Sequence, residues 1–263
     1  MMQRTAQCIT LLAIMCSIGC NAAMPGPKVR EVRVKVSHID LQGVTLACDV
    51  DIENPYMVAL ATPEFRYGLD IAETPFLSSE TETEINIPAL GVGTIELPLN
   101  IKYFNVYDAH DGLIDAKQIA YRIHGTVLLD VMGQEVRLPV SYDDTFPILK
   151  LPQFGEPQVD IPEASLSSAR AEISVNVSNP NVFPLGLRDL VFAVSLGEVE
   201  MGQVRVTGAE ELAPGGNGTL ILTGEISGAR ALAGLVGGQK PGKPAIHYAG
   251  SISTPFGDVN IRR

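Results

Sequence analysis

The stretch DVDIENPY, residues 49–56, alternates acidic and apolar residues and then ends in an Asn-Pro step. A strand with one buried face and one exposed face produces this period of two. Proline has no amide hydrogen for a sheet ladder and favours extended backbone in the residue before it, so the ladder ends there. The asparagine side chain can hydrogen-bond the backbone of the turn that follows. The sequence therefore predicts a strand that leaves its sheet at Asn54 and Pro55.

A second copy of this phrase, SVNVSNPN, occupies residues 174–181, 125 residues later. The same offset, applied without gaps, brings glycines of the two halves into register. The predicted structural residues of the repeat are Asn54, Pro55, Asn179, Pro180, Gly93, Gly218, Gly125 and Gly250. Because a repeat of this length is the size of a domain with its own core, we predict a tandem duplication of a whole domain.

The fold class predicted from these patterns is mainly β, with two tandem antiparallel β-sandwich domains of the immunoglobulin or fibronectin-III type. Each domain is expected to carry one short α-helix, the first around Val106–Ala116 and the second around Ala229–Val236, with Ser227 as its N-cap. The predicted segments are a signal peptide at 1–19, a lipidated tether at 20–28, domain 1 at 29–151, a linker at 152–156 and domain 2 at 157–263.

The amino-terminal segment has the pattern of a secretory signal, since Arg4 precedes the uncharged run CITLLAIMCSIG at residues 8–19. The run ends in Ser17-Ile18-Gly19-Cys20, which resembles the lipobox of bacterial lipoproteins. The resemblance implies that Cys20 is lipidated and tethers the chain to a membrane of the cell envelope, and Asn21 after it implies the outer membrane. Cleavage near Ala22 or Ala23 is the alternative and would give a soluble periplasmic protein.

The motifs also resemble those of the late embryogenesis abundant (LEA) type 2 family, also called the water-stress and hypersensitive-response (WHy) domain. The segments of the first half that resemble the family motifs are VDIENPY, FRYGLDI, GTIELPLNI and YRIHGTV. Those of the second half are VNVSNPN, LVFAVSL, GTLILTGEI and HYAGSI. The resemblance covers nearly all of the chain after the signal. It implies a folded, non-enzymatic protein with a role in protection against water stress or desiccation.

Composition argues against several classes of function. The formal net charge is −11, and removal of residues 1–19 takes away only Arg4, which makes it −12. Such a surface repels nucleic acid, whose phosphates need clustered Lys and Arg. The segment GGQKPGK at residues 237–243 has the spacing of a phosphate-binding loop, but Pro244 stands where Ser or Thr must bind magnesium, so we interpret it as a turn. No enzyme activity and no cofactor are expected.

Metal binding is likewise not expected. The four histidines, His38, His110, His124 and His247, have no metal-binding spacing and are predicted to lie at the surface or at sheet edges. Two rows of acidic residues could form a weak calcium site, but a straight strand cannot gather six to eight oxygens, so a solvated sheet face is favoured. These rows are Asp49, Asp51 and Glu53, and Glu80, Glu82 and Glu84. Cys48 is predicted to be a small, inert core residue.

Three functions remain as hypotheses. The first is an envelope-anchored LEA type 2-like protein that protects through a folded surface. The second is a periplasmic carrier of a lipid or another apolar ligand, held between the two sheets of a sandwich. The third is an assembly adaptor that pairs through exposed sheet edges with an unknown protein partner.

Overall fold

The computed structural model describes residues 25–61, 64–82, 86–164, 168–187, 190–196, 199–205, 211–227 and 244–262. Strands dominate these residues, and all of the described strand pairs are antiparallel. The prediction of a mainly β, antiparallel chain is therefore confirmed. Within the described part of the chain, no helix has the length and apolar character needed to cross a membrane.

In its described residues, the first half of the fold contains nine strands, one short α-helix and one turn of 3₁₀-helix. They are β1 (Lys28–Ile39), β2 (Gly43–Glu53), β3 (Leu60–Ala61), β4 (Glu64–Ile71), β5 (Thr74–Glu82), β6 (Asn86–Ile87), β7 (Val92–Lys102), α1 (Tyr103–Ala109), the 3₁₀ turn Asp111–Leu113, β8 (Gln118–Val131) and β9 (Gln134–Pro147).

The second half contains ten strands in the residues that are described. They are β10 (Gln153–Phe154), β11 (Gln158–Ala164), β12 (Ser168–Ser178), β13 (Leu185–Gly186), β14 (Val191–Leu196), β15 (Val199–Arg205), β16 (Glu211–Leu212), β17 (Asn217–Ser227), β18 (Pro244–Thr254) and β19 (Gly257–Arg262). The second predicted helix, around Ala229–Val236, lies outside the described residues.

Two main sheets build the first half. One has the strand order β1-β2-β7 and the other β5-β4-β8-β9, while β3 and β6 form a separate short pair. Apolar residues alternate with exposed ones along the strands; β7, for example, buries Ile95, Leu97, Leu99 and Ile101. Buried side chains of both sheets belong to one hydrophobic cluster. The period of two in the sequence thus becomes the core side of each strand.

The helix of the first half confirms the prediction in position but not in length. It begins at Tyr103, directly after β7, and ends at Ala109, and the 3₁₀ turn that follows contains Gly112. Tyr103 and Val106 are its buried residues. Glycine lowers helical propensity, which is consistent with the α-helix ending before it.

The register of the sheet formed by β1, β2 and β7 recurs in the second half at the offset of 125 residues, whereas the pairing of β14 with β18 is shifted by two residues from that of β4 with β8. The pairing of β2 with β7 runs from Gly43 opposite Lys102 to Glu53 opposite Val92, and each of these pairs has its counterpart between β12 and β17. The incoming strand repeats as well, because Lys28 pairs with Glu53 and Gln153 with Ser178. The predicted linker, residues 152–156, thus includes strand β10 of the second half.

Strand direction gives the first half two distinct ends. At one end, β1 begins, β2 ends and β7 begins. This end also holds the Asn-Pro turn and is called here the Asn-Pro end. The opposite end holds the turn between β1 and β2 and the start of α1, where the Tyr103 amide donates to the Gln42 carbonyl. The chain therefore enters the first half at the Asn-Pro end.

Candidate functional site: the duplicated Asn-Pro turns

Asn54 closes the turn that follows β2, and its side chain is 1% exposed. Its Oδ1 accepts from the Tyr56 amide at 2.9 Å. Its Nδ2 lies within hydrogen-bond distance of the carbonyl oxygens of Val58 at 2.9 Å, Ile87 at 3.3 Å and Pro88 at 3.0 Å. One amide group therefore joins the turn after β2 to the loop before β7, about 33 residues away in sequence.

Asn179 repeats this arrangement atom for atom in the second half. It is also 1% exposed, and its Oδ1 accepts from the Asn181 amide at 2.9 Å. Its Nδ2 lies 2.8, 3.1 and 3.1 Å from the carbonyl oxygens of Phe183, Leu212 and Ala213. Every partner stands 125 residues after its counterpart in the first half. The repeat in sequence is thus a repeat of a buried polar cluster.

The backbone of the two turns is joined in the same duplicated way. The Asn54 amide donates to the Gly91 carbonyl and the Asn179 amide to the Gly216 carbonyl, both at 2.9 Å. The residue before each of these glycines has a positive φ, 51° at Leu90 and 64° at Gly215. Glycine adopts this conformation without strain, whereas a leucine rarely does. The first half therefore carries a bulky apolar residue where the second has the residue that the backbone favours.

Three of the four repeated glycines lie where a side chain would collide or where the backbone is unusual. A Cβ at Gly125 would lie 2.4 Å from the Arg66 carbonyl oxygen, and one at Gly93 would lie 2.8 Å from Cγ1 of Ile87. Gly250 instead has φ of 147°, and Gly218 pairs with Val177 in the β12–β17 ladder. Gly125 and Gly250, which the sequence offset aligns, are thus favoured for different physical reasons.

The second turn has one contact that was not predicted from the sequence. Asn181, 2% exposed, accepts from the Lys150 amide at 2.7 Å and donates to the Lys150 carbonyl at 2.8 Å. It therefore fixes the segment that enters the second half. The equivalent residue in the first half is Tyr56, whose hydroxyl oxygen would lie 4.0 Å from a Cβ at Gly26. Each entering segment thus passes beside the residue two positions after its Asn.

A polar cluster on the outer face of β2 also departs from expectation. Asp51 is 9% exposed, so this position is not the solvated one that the sequence predicts. Arg33 donates to both carboxylate oxygens, and Thr94 donates at 2.8 Å. The hydrogen bond from Arg33 is the main cause that lowers the pKa of Asp51. Arg33 stands 18 residues before Asp51, and only the strand register brings them together.

At the position equivalent to Asp51, the second half has a polar residue without a charge. Asn176 replaces Asp51 at the repeat offset, and it accepts from Thr219 at 3.1 Å, as Asp51 accepts from Thr94. The residue equivalent to Arg33 is Gln158. The ion pair of the first half is thus a neutral amide–hydroxyl pair in the second.

The other sequence-based candidates are dispersed. Cys48 is fully buried, and burial raises the pKa of its thiol to about 11, so the thiolate nucleophile is disfavoured. His38, His124 and His247 are exposed, His110 is half-buried, and the His124 Nε2 lies 3.2 Å from the Asp70 Oδ1. Among the described residues, no group of three or more His, Cys, Asp or Glu could hold a metal ion. Cys20, Glu84 and residues 237–243 lie outside the described part.

Two open grooves lie on the surface of the described structure. The larger has a volume of about 600 Å³ and crosses β10, β12 and β17, where Phe154, Asn176 and Thr219 are among its lining residues. The other, of about 490 Å³, crosses β4, β5 and β8 beside Arg66, Glu80 and His124. Both are lined in large part by polar side chains and glycine, which does not suit an acyl chain.

A protein-family model matches part of the chain. Residues 49–144 match the LEA_2 family, described as late embryogenesis abundant protein. The match begins within β2, includes the first Asn-Pro turn and ends within β9, so this part of the chain is LEA type 2-like. None of the curated proteins searched gives a significant match.

Solved structures give several distant likenesses. A protein from Archaeoglobus fulgidus is 8% identical with a TM-score of 0.38, and the match covers 47% of this chain and all of that one. A protein from Arabidopsis thaliana is 14% identical with a TM-score of 0.39, over 56% of this chain and 94% of that one. Red sea bream transglutaminase is 13% identical with a TM-score of 0.28, over 89% and 31%. These low scores carry no argument about function.

Proposed function

We propose that the chain is a non-enzymatic LEA type 2 protein with two tandem WHy-type sandwich domains, which protects other macromolecules during water loss through its folded surface. The observation that carries the proposal is the LEA_2 match over residues 49–144, which includes the Asn54 cluster. The second half supports the two-domain reading, because it reproduces that cluster with the same partners at the same offset. The net charge of −12 after removal of the signal favours a hydrated surface.

The folded surface distinguishes this role from that of a hydrated coil. Both Asn-Pro clusters and a buried apolar core hold the chain in a defined shape, so protection should depend on folding. Drying a labile enzyme with the purified protein tests this directly. We expect more activity to survive than with an inert carrier protein at equal mass.

The matched variants are Asn54→Ala with Asn179→Ala, which removes both clusters, and Asn100→Ala, which changes an exposed residue of β7. We expect Asn100→Ala to protect like the natural protein and the double variant to lose protection once it unfolds. Equal protection by the folded and the unfolded protein, or none beyond the carrier, would refute the proposed role.

The proposed location is the periplasmic side of the outer membrane, with Cys20 as the lipidated anchor and residues 20–28 as the tether. The support is the resemblance of Ser17-Ile18-Gly19-Cys20 to a lipobox. Incorporation of radiolabelled palmitate into the natural chain, and its loss in Cys20→Ala, is the expected result. A labelled Cys20→Ala chain, or an unlabelled natural chain, would contradict the anchor.

The carrier hypothesis and the adaptor hypothesis are each tested by a separate experiment. Native mass spectrometry of the purified protein would detect a bound lipid, and sedimentation velocity over a range of concentrations would detect pairing through sheet edges. Neither of the two described grooves favours the carrier, because polar residues and glycine line much of both.

A further inference from the structure

The Asn-Pro end of the first half exposes large apolar side chains on two adjacent loops. Met57 is 84% exposed and Leu90 is 66% exposed. The Leu90 amide donates to the Tyr56 carbonyl at 2.8 Å, so the two loops lie against each other. Val58, next to Met57, is also exposed. This group, Met57, Val58 and Leu90, is called here the apolar tip.

The apolar tip lies in an uncharged part of a strongly acidic chain. Residues 54–63 and 85–95 contain no Asp, Glu, Lys or Arg, and neither does the segment from Cys20 to Pro27. An acidic surface elsewhere keeps the protein away from anionic lipid, but an uncharged apolar end has no such barrier. Exposed apolar groups of this kind mark sites of contact with a partner or a membrane.

The entering chain passes the same end. Gly26 runs beside Tyr56, and Pro27 is buried at the start of β1. Only four residues lie between Cys20 and Pro25, so the two are at most about 18 Å apart when the chain is fully extended. A lipid attached to Cys20 therefore keeps this end, and not the opposite one, within reach of the bilayer.

The second half provides an internal comparison. The residue equivalent to Met57 is Val182, which is 38% exposed, and the residue equivalent to Leu90 is Gly215. Val58 corresponds to Phe183, which is buried and packs edge-on against Phe256 at 5.4 Å. The same backbone thus presents an apolar tip only in the half that adjoins the tether. Leucine at a position with φ of 51° is also locally unfavourable, so the fold itself does not explain it.

We propose that the apolar tip is a membrane-contact surface, which inserts Met57, Val58 and Leu90 into the headgroup and acyl boundary of the bilayer that holds the Cys20 anchor. This inference rests on the proposed anchor. Contact at two sites, a lipid and a protein tip, restrains the orientation of the first half on the membrane, whereas a lipid alone leaves it free to tumble.

The test places a fluorophore in the lipidated full chain. Met57→Cys is labelled with an environment-sensitive nitrobenzoxadiazole dye, and Val182→Cys, at the equivalent position of the second half, is the matched control. Cys48 stays unlabelled because it is buried with a raised pKa, and an acylated Cys20 has no free thiol. The protein is reconstituted into vesicles of phosphatidylethanolamine and phosphatidylglycerol that contain a lipid-borne quencher.

We expect a blue shift and quenching of the dye at position 57, and neither at position 182. Equal signals at the two positions, or no quenching at position 57, would overturn the inference even if palmitate labelling supports the anchor.

A second measurement does not depend on the anchor. A chain that begins at Asn21 is mixed with the same vesicles, and its binding is compared with that of Met57→Asn with Leu90→Asn. Asparagine tolerates positive φ, so the loop at position 90 is preserved. We expect roughly tenfold weaker binding for each apolar side chain removed, and binding that does not weaken as salt is added, because salt screens the repulsion between the acidic chain and anionic lipid. Ile221→Thr changes an exposed apolar residue of the second half and should bind normally. Unchanged binding of the double variant would overturn the inference.

Discussion

The two Asn-Pro turns share their backbone and differ in the side chains around it. In both, an asparagine that is 1% exposed joins the end of one strand to the loop before another. Each hydrogen-bond partner in the second half stands 125 residues after its counterpart in the first. Around this constant cluster, Tyr56, Leu90 and Asp51 of the first half become Asn181, Gly215 and Asn176 in the second. The comparison shows that the buried hydrogen bonds of the asparagine constrain the backbone of the turn. The side chains around the asparagine differ between the two halves because each turn contacts a different neighbouring segment.

The largest effect is expected from removing the constant cluster. Asn54→Ala and Asn179→Ala each leave a backbone amide and several carbonyls without their partner in a buried place, at a cost of roughly 4 kcal/mol in the free energy of unfolding. Urea unfolding at neutral pH measures it, with the exposed Asn100→Ala as control. If only one of the two variants is destabilised, the clusters are equivalent in geometry but not in energy.

The next effect should come from the glycines of β8 and β18 that the sequence offset aligns. Gly125→Ala places a Cβ 2.4 Å from the Arg66 carbonyl oxygen and forces β4 and β8 apart, which we expect to cost about 3 kcal/mol. Gly250→Ala should cost about 1 to 2 kcal/mol through backbone strain, because φ is 147° at this position. Thermal unfolding compares them, with Gly112→Ala as a control because nothing lies within 4 Å of its added Cβ. Equal losses would show that the strands adjust to the collision.

The joint between the halves should respond to a variant of the second turn. Asn181→Ala removes both hydrogen bonds to the Lys150 backbone and should destabilise the protein by about 2 kcal/mol. Because those bonds hold the entering segment, faster limited proteolysis within residues 148–157 is the specific readout. The exposed Asn217→Ala should leave the cleavage rate unchanged. An unaltered rate in Asn181→Ala would mean that the surrounding packing alone orders the joint.

The smallest effect is the loss of the ion pair that distinguishes Asp51 from Asn176. Because the pKa of Asp51 is lowered in the folded state, the ionised carboxylate contributes stability above its ordinary pKa of about 3.9. That contribution is lost as the pH falls toward the lowered folded value. Asp51→Asn should therefore destabilise the protein at pH 7, and the difference from the natural chain should shrink below about pH 4.

Urea unfolding at pH 7 and pH 3 measures this pH dependence, and Asn176→Asp supplies the reverse exchange. That variant introduces a carboxylate without an arginine at position 158, so it should not gain stability at neutral pH. A constant difference between Asp51→Asn and the natural chain at both pH values would exclude the ion pair as its cause.

Much of the fold could be predicted from local patterns in the sequence. The alternation of β2 and β7 predicted their buried faces, and Asn-Pro predicted the end of β2, because both depend on local geometry. Other features could not be found this way. Glu82 pairs with Glu64 in the sheet of β4, whereas Ile87 pairs with Leu60 in the short pair of β3 and β6, and no local pattern indicates this change of partner. The strand β5 was not predicted over Thr74–Ser79, where proline and several small polar residues weaken the strand signal.

The sequence by itself determined the period of two, the duplication at 125 residues and the asparagine on which each turn depends. These follow from local rules that hold whatever surrounds the chain. Only the tertiary structure decided which distant carbonyls Asn54 contacts, that Arg33 neutralises Asp51, and that Asn181 holds Lys150. The physical reason is register: pairing of strands sets residues side by side whose separation in sequence carries no sign of their contact.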